Sequence, residues 1–384
     1  MKMIYDVAII GGGIIGGSIA YELSQYELKT VVLEKNPLFA DETSKGNSGA
    51  IHGGFDPEPE KVEARLNVLG NELWRTKIFK DLKFPFVKVD SLIIAFDDEE
   101  MEHVHMLYER GIINKVPKEF MRILTKEETL AKEPNLNPEL KGSLLCNSSW
   151  AIEPVKATIA FMGASKQNGT ELRKNSQVTD IKKEGDIFII TINGKETIKT
   201  KNIINAAGHY ADKVAEMAGV KDFELTARRG EYRILSRNIK YKVNSICFMV
   251  PTIHGKGVIV APMLDGRTMV GPTAEEGISK EATRYITKEK FESIGNIGTK
   301  LVPNLELEKT EITLAGSRPI DVETNDFVIR YGKGDKNFIN AAGMQSPAIA
   351  SAPAIAMEIA KLLKENGTEL IKDKNYNPKY EVLS

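Results

Sequence analysis

The sequence contains only two cysteines, Cys146 and Cys247, in 384 residues. Two thiols are too few for a disulfide framework, a cysteine-ligated zinc site or an iron–sulfur cluster. We therefore predict no metal site, and a reducing, cytoplasmic compartment is the expected location.

An excess of charge of either sign is also absent, because 52 Lys and Arg side chains are balanced by 53 Asp and Glu side chains. With no net field to attract polyanions, we expect no nucleic-acid binding, and any anion site must be local. The least polar late segment, 346–363, contains two prolines and two charged residues, which predicts no transmembrane segment. The first residues lack the features of a signal peptide. Peripheral membrane contact and oligomeric state stay open.

What the sequence does contain begins with a dinucleotide-binding pattern. Residues 3–10 are almost continuously apolar, which is typical of a parallel strand that is covered on both faces. The glycines of GGGIIG, Gly11, Gly13 and Gly16, then follow in G-x-G-x-x-G register. A helical pattern comes next, and a second strand ends at Glu34. This order is the full context that the fingerprint requires.

Each of these residues has a physical role in such a site. Gly11 permits a tight turn, Gly13 lets the pyrophosphate approach bare backbone, and Gly16 lets the helix pack closely on the strand. Glu34 is expected to accept hydrogen bonds from the ribose hydroxyls. The alternative is a glycine turn without a ligand.

The rest of the chain predicts a second, different sheet. No second glycine fingerprint occurs, so we expect one dinucleotide site and no nicotinamide domain. Strand-like segments with turn signals lie at 86–96 and within 230–272, and they favour an antiparallel sheet. Residues 196–212 and 337–364 return to the pattern of strand, glycine turn and helix.

We therefore predict an α/β fold, α+β overall. A discontinuous Rossmann-like cofactor domain (1–85, 146–220 and 315–384) is interleaved with a substrate domain that has a mainly antiparallel sheet (86–145 and 221–314).

Residues 42–55, ETSKGNSGAIHGGF, place small and hydroxyl side chains where a loop could lie against a flat cofactor. Thr43, Ser44 and Ser48 can donate hydrogen bonds to phosphate or ribityl oxygens. Gly49 and Ala50 leave room for a ring system.

His52 is the candidate base within this loop. An imidazole has an ordinary pKa of about 6.5, which suits removal of a hydroxyl proton while a hydride leaves the same carbon. The alternative is a buried structural histidine. His103, His105 and His209 receive no role.

Two cations lie in segments that could hold an anion. Lys256 stands in TIHGKG (252–257), and Arg318 in AGSRPID (315–321) precedes Pro319. A guanidinium suits bidentate binding of a phosphate or carboxylate. The plain alternatives are a solvated hairpin lysine and an ordinary ion-paired arginine.

The late segment AAGMQSPA (341–348) contributes a glycine turn before a predicted helix. The start of that helix, after Gly343, could stabilise negative charge on a reduced flavin. Ser346 could cap the helix or contact substrate.

Taken in order, these motifs resemble the FAD-dependent glycerol-3-phosphate oxidases, within the wider glycine oxidase and D-amino-acid oxidase structural family. The segments that carry the resemblance are the fingerprint, 43–52, 204–212, 252–257 and 316–321. The resemblance covers roughly residues 3–365 and implies that the Rossmann-like domain binds one extended FAD.

The resemblance also implies the contacts of that FAD and of the substrate. The implied FAD contacts are Ile15, Glu34, Thr43, Ser44, Ser48, Gly49, Ala50, Val178, Met344, Gln345 and Ala350. The implied substrate contacts are Ser48, His52, Lys256, Arg318 and Ser346.

The implied reaction is oxidation of sn-glycerol 3-phosphate to dihydroxyacetone phosphate, with hydride transfer from C2 to flavin N5 and His52 as base. Met344 stands where quinone-linked relatives commonly have a lysine, and the chain ends soon after Leu363, without their additional C-terminal domain. The first departure removes one expected phosphate cation and leaves more of the anion binding to Arg318 and Lys256. The second favours O2 as acceptor, with hydrogen peroxide as product. The alternatives are an L-2-hydroxyglutarate oxidase or dehydrogenase, an amine oxidase acting on glycine or sarcosine, and a non-catalytic flavin-binding redox module.

Overall fold

The computed structural model describes residues 3–250 and 258–382. The strands, in chain order, are β1 (Ile4–Ile10), β2 (Thr30–Leu33), β3 (Ala50–Ile51), β4 (Leu82–Lys83), β5 (Phe86–Lys88), β6 (Ser91–Ala95), β7 (Met121–Thr125), β8 (Gly142–Cys146), β9 (Trp150–Ile152), β10 (Glu171–Arg173), β11 (Val178–Glu184), β12 (Ile187–Ile192), β13 (Glu196–Asn205), β14 (Leu225–Leu235), β15 (Ile246–Met249), β16 (Ile259–Pro262), β17 (Thr268–Gly271), β18 (Glu275–Ile278), β19 (Thr310–Asp321), β20 (Val328–Gly332), β21 (Asp335–Ala342) and β22 (Tyr380–Glu381).

The α-helices are α1 (Ile14–Leu23), α2 (Val62–Leu73), α3 (Phe79–Asp81), α4 (Asp98–Ile113), α5 (Lys126–Lys132), α6 (Pro154–Gln167), α7 (Ala211–Met217), α8 (Lys288–Leu301) and α9 (Ala348–Glu365). A π-helical turn, Trp74–Ile78, joins α2 to α3. Short 3₁₀ turns lie at Lys118–Phe120, Gly208–Tyr210 and Leu307–Lys309. Among the residues described, no helix is both long and apolar enough to cross a bilayer.

The first sheet has eight strands around a parallel centre. Its path runs β10-β2-β1-β13-β12-β11, and β21 pairs with both β13 and β20. Successive side chains of β1 enter different cores: Val7 and Ile9 pack with α1, α6 and α9 on one face, whereas Ala8 and Ile10 pack with α7 on the other. A strand that is covered on both faces was expected from its continuous apolar sequence, and this expectation is confirmed.

The second sheet has nine strands and is mainly antiparallel. Its order is β18-β14-β17-β16-β15-β6-β8-β7, with β19 paired to β14 along almost all of its length. The pairing of β15 with β6 is parallel. The predicted fold class is therefore confirmed: an α/β cofactor sheet and a mainly antiparallel second sheet occur in one chain.

The two sheets take their strands from alternating parts of the sequence. Strands of the first sheet lie within 4–33, 171–205 and 328–342, and strands of the second lie within 91–146 and 225–321. The small sheet β3-β9-β5 carries the segment around Ala50. The exact division into domains stays a prediction.

Candidate active site

A cavity of about 630 Å³ lies where the two sheets meet. Its lining includes Ile10, Leu33 and Ala206 at the carboxyl ends of parallel strands of the first sheet, and Tyr232 and Arg318 from the second sheet. In open α/β sheets, ligands bind in the crevice outside the carboxyl ends of the strands. The cavity is therefore the candidate site. We call the part beside Gly11 and Glu34 its cofactor end and the part beside His52 and Arg318 its substrate end, after the contacts predicted for them.

The glycine turn forms the floor of the cofactor end. Gly11 has a φ of 116°, and a Cβ there would lie 2.2 Å from the carbonyl oxygen of Ala206. A Cβ on Gly16 would lie 2.0 Å from the carbonyl oxygen of Gly11. Gly13 is the N-cap residue of α1 and has no side chain to cap the helix. The turn thus leaves bare backbone and a helix N-terminus facing the cavity, as an anion site requires.

Glu34 lies at the end of β2, where its carboxylate is held by two backbone donors. Oε2 accepts a hydrogen bond from the N–H of Gly12 at 2.7 Å, and Oε1 accepts one from the N–H of Asn36 at 2.8 Å. The side chain is buried, and this burial raises the pKa of Glu34, while the two N–H donors oppose the rise. The carboxylate is therefore fixed in place, with its remaining lone pairs available to a hydroxyl donor.

The loop that follows residue 42 is tied to the glycine turn. The hydroxyl of Ser44 accepts a hydrogen bond from the N–H of Ile14 at 2.9 Å. Asn47, which sequence reasoning did not single out, donates from Nδ2 to the carbonyl oxygens of Thr43 and Ser44 at 3.0 and 2.9 Å. Its Oδ1 accepts from the N–H of Gly49 at 2.8 Å. Asn47 thus holds the loop in its turn.

His52 reaches the substrate end of the cavity directly after β3. Its Nε2 lies 3.4 Å from the hydroxyl oxygen of Ser346, and its ring packs on Phe248 with 5.9 Å between the centroids. Two buried amides of α2, those of Asn67 and Asn71, donate to the carbonyl oxygen of His52 at 2.9 and 3.1 Å. These amides fix the backbone that carries the imidazole.

Arg318 supplies a cationic side chain at the same end. It lines the cavity from β19, and its side chain makes no hydrogen bond or ion pair with any residue in the described ranges 3–250 and 258–382. Burial lowers the pKa of Arg318, and the nearby phenol of Tyr232 opposes that effect. Because guanidinium groups stay protonated at working pH, a positive charge that is not directly ion-paired to a described residue faces the cavity, and Glu276 and Asp56 stabilise it only from a distance.

His209 is a cavity residue to which the sequence analysis gave no role. It is 5% exposed, and its Nε2 lies 2.5 Å from the hydroxyl oxygen of Ser317, the neighbour of Arg318. Burial lowers the pKa of His209 to about 4, so the imidazole is neutral near pH 7. Its position after β13, in the segment that packs against the glycine turn, is the sequence signal that could have identified it.

Most of the predicted contact residues do line this cavity. Those on the cofactor side are Gly11, Gly13, Ile15, Glu34, Thr43, Ser44, Ser48, Ala50, Val178, Met344 and Gln345. Those on the substrate side are Ser48, His52, Arg318 and Ser346. Their contacts with ligands stay predictions.

The other predicted residues lie elsewhere. Gly16, Gly49 and Ala350 do not line the cavity. A Cβ on Gly49 would lie 2.2 Å from the carbonyl oxygen of Ile152, so this glycine allows close backbone packing. Ala350 is fully buried in α9, and its direct contact with a cofactor stays a prediction. Lys256 lies outside the described residues.

Metal ligation has no support within the described part of the chain, where no group of His, Cys, Asp and Glu side chains could hold an ion. Cys146 and Cys247 are both buried and unpaired with each other.

Comparison with known proteins places the chain in a family. The family model described as "FAD dependent oxidoreductase" matches residues 6–362. Glycerol 3-phosphate oxidase of Mycoplasma pneumoniae is 48% identical over 380 residues, which cover 98% of each chain. The FAD-bound L-alpha-glycerophosphate oxidase structure from M. pneumoniae superposes with a TM-score of 0.96 at 47% identity and covers both chains completely. L-2-hydroxyglutarate dehydrogenase of Escherichia coli K12 is 28% identical over 78% of this chain and 71% of its own. The chain belongs to the FAD-dependent oxidoreductases.

Proposed function

We propose that the chain oxidises sn-glycerol 3-phosphate to dihydroxyacetone phosphate and passes the two electrons through FAD to O2, giving hydrogen peroxide. The observation that supports this proposal most directly is the pairing, in one cavity, of an imidazole with an arginine that has no partner among the described residues. The relative that is 48% identical over nearly its whole length is a glycerol 3-phosphate oxidase.

The residues at the cofactor end fit FAD. Gly11, Gly13 and the start of α1 offer the backbone cradle that a pyrophosphate needs, and Glu34 offers an acceptor to the ribose hydroxyls. Ser44, Ser48 and Ala50 line the cavity between that cradle and His52. FAD, when bound, supplies the two-electron acceptor that no side chain of this site can provide.

At the substrate end, Arg318 would bind the phosphate group. A phosphate monoester carries about −1.5 to −2 charges near pH 7, and burying such a group without a cation would be prohibitive. Arg318 offers a guanidinium fork that forms no side-chain hydrogen bond or ion pair with a described residue, although Glu276 and Asp56 act on its charge from a distance. Lys256, as the second proposed phosphate ligand, stays part of the proposal on sequence grounds alone.

His52 would hold the proton that leaves the C2 hydroxyl. In this role the imidazole takes up the hydroxyl proton at Nε2 or Nδ1 as the carbonyl forms, which is general-base catalysis. Ser346, whose Oγ lies 3.4 Å from Nε2, is close enough to orient that hydroxyl together with the ring. The amides of Asn67 and Asn71 hold the backbone carbonyl of His52 and so help to position the residue that carries the imidazole.

The main competing substrate is L-2-hydroxyglutarate, whose carboxylates Arg318 could also bind. The weaker match to L-2-hydroxyglutarate dehydrogenase favours the phosphate ester. Cytoplasmic location also remains part of the proposal and is compatible with two buried, unlinked thiols.

One experiment distinguishes the two candidate substrates. We would purify the FAD-loaded protein, add each substrate without oxygen, follow the flavin absorbance near 450 nm, and then measure peroxide after readmitting air. We expect rapid bleaching with glycerol 3-phosphate, little with L-2-hydroxyglutarate, and one peroxide for each ketone formed. Bleaching by L-2-hydroxyglutarate alone would assign the other substrate. A purified protein that binds FAD but is bleached by neither compound would contradict both.

A further inference from the structure

The second sheet places two arginines directly opposite each other beside the substrate end. Strands β14 and β19 are antiparallel, and their register pairs Arg228 with Arg318. Residues directly opposite in such a pair project from the same face, with Cβ atoms about 5 Å apart. Tyr232, four residues further along β14, lines the cavity, as Arg318 does. Arg228 therefore projects from the same face of the sheet as these two residues, although it does not itself line the cavity.

Such a pair of like charges is unfavourable unless something compensates it. Arg318 has no hydrogen-bonding or ion-pairing partner in the ranges that the structure describes. The positive charge of Arg228 adds to the effect of burial in lowering the pKa of Arg318. The sheet thus maintains a repulsive arrangement that a bound anion would relieve.

Arg228 itself is ion-paired to a single, largely exposed carboxylate. Its Nε forms an ion pair with Oε1 of Glu276 on β18. The Glu276 side chain is 58% exposed, so solvent screens its charge more than that of Arg228, which is 22% exposed. Together, Arg228, Glu276 and Arg318 carry one net positive charge beside the cavity, and Asp56, which lines the cavity, acts on Arg318 in the opposite sense.

We propose that Arg228 is a specificity-determining residue of this site. Its positive charge adds to that of Arg318, so that a doubly charged phosphate ester is preferred over singly charged carboxylates. The negative charge of Glu276 opposes this effect. This inference rests on the proposed function and extends it. A phosphate dianion interacts with each added cation about twice as strongly as a carboxylate does. The phosphate charge does not change during oxidation at C2, so the effect belongs in KM and not in kcat.

The test compares Arg228→Gln and Glu276→Gln in the FAD-loaded enzyme at low, fixed ionic strength. We expect Arg228→Gln to raise KM for glycerol 3-phosphate about tenfold and to leave kcat within about twofold. Glu276→Gln should lower KM about threefold, because it removes the opposing charge. The inhibition constant of inorganic sulfate should move in the same two directions. Arg122→Gln is the matched control: Arg122 lies on the far edge strand β7 and is ion-paired to Glu128 of α5, and its loss should leave KM unchanged.

Opposite shifts in KM from the two variants would indicate an electrostatic effect on substrate binding, since a merely structural role would raise KM in both variants. KM values that move in the same direction, or that stay unchanged, would overturn the inference. If the wild-type enzyme does not oxidise glycerol 3-phosphate, the proposed function fails separately. In that case, thermal stabilisation of the same variants by inorganic phosphate tests the anion site: the inference requires weaker stabilisation in Arg228→Gln than in wild type.

Discussion

Replacing Arg318 by methionine should make the apoprotein more stable while removing its affinity for substrate. Methionine keeps most of the length of the side chain but has no charge. Arg318 lies in the cavity wall without a hydrogen-bonding or ion-pairing partner among the described residues. A partly buried charge that has lost hydrating water without gaining a hydrogen-bonding partner destabilises the folded state. Removing it should therefore increase the free energy of unfolding.

The substitution should raise the free energy of unfolding of the apoprotein and lower kcat/KM of the FAD-loaded enzyme. The gain in the free energy of unfolding should be about 1 kcal/mol, at the low end of the cost of an unsatisfied polar group because the guanidinium keeps some solvent contact. The loss in transition-state binding should be about 2–4 kcal/mol, or roughly 30- to 1000-fold in kcat/KM, since a charge-assisted contact to a buried phosphate disappears.

Chemical denaturation of the apoprotein and steady-state kinetics of the FAD-loaded enzyme measure the two effects. Arg330→Met is the control, because the Nε of Arg330 lies 3.0 Å from Oδ2 of Asp222. This substitution breaks an existing ion pair, so it should lower stability slightly and leave kcat/KM unchanged. If Arg318→Met destabilises the apoprotein as much as the control does, Arg318 has a structural partner, and the argument from its uncompensated charge is wrong.

Three further predictions test other parts of the site. His52→Ala should retain bound flavin but slow its anaerobic reduction by glycerol 3-phosphate about 10²- to 10⁴-fold in stopped-flow measurements; a yellow variant with the wild-type rate would refute the base assignment. Burial lowers the pKa of His209 to about 4, so the folded protein binds fewer protons there than the unfolded chain. The free energy of unfolding should therefore be highest above about pH 6.5 and fall by on the order of 3 kcal/mol as the pH is lowered towards 4. Denaturation of His209→Gln should show a flatter pH dependence over that range. A Cβ on Gly316 would lie 1.8 Å from the carbonyl oxygen of Gly46, so Gly316→Ala should weaken FAD binding to the apoprotein in a fluorescence titration, and an unchanged dissociation constant would contradict this.

The glycine turn and Glu34, which line one end of the cavity, could be predicted from the sequence because their signals are local. The turn at Gly11, the start of α1 and Glu34 all lie within one strand–helix–strand unit, where the spacing of residues dictates the geometry. The mainly antiparallel second sheet could likewise be predicted from short strand-like segments separated by turn signals.

The surroundings of the reactive side chains could not be predicted in this way. Asn67 and Asn71 reach the carbonyl oxygen of His52 only because α2 packs beside β3, and no local pattern signals that contact. The pairing of Arg228 with Arg318 depends on the register of two strands that are distant in sequence, and a shift of one residue would send one arginine to the opposite face.

The contact between Gly46 and Gly316 links the two halves of the site mechanically. Gly46 belongs to the loop that is tied to the glycine turn, and Gly316 lies on β19, two residues before Arg318. Their backbones meet so closely that neither position has room for a Cβ. We therefore predict that FAD bound beside the loop and a phosphate-bearing ligand bound at Arg318 raise each other's affinity, with the backbone contact between Gly46 and Gly316 as the physical route of the coupling. Thermodynamic linkage makes the two factors equal, so FAD titrations with and without inorganic phosphate and phosphate titrations with and without FAD should give the same ratio.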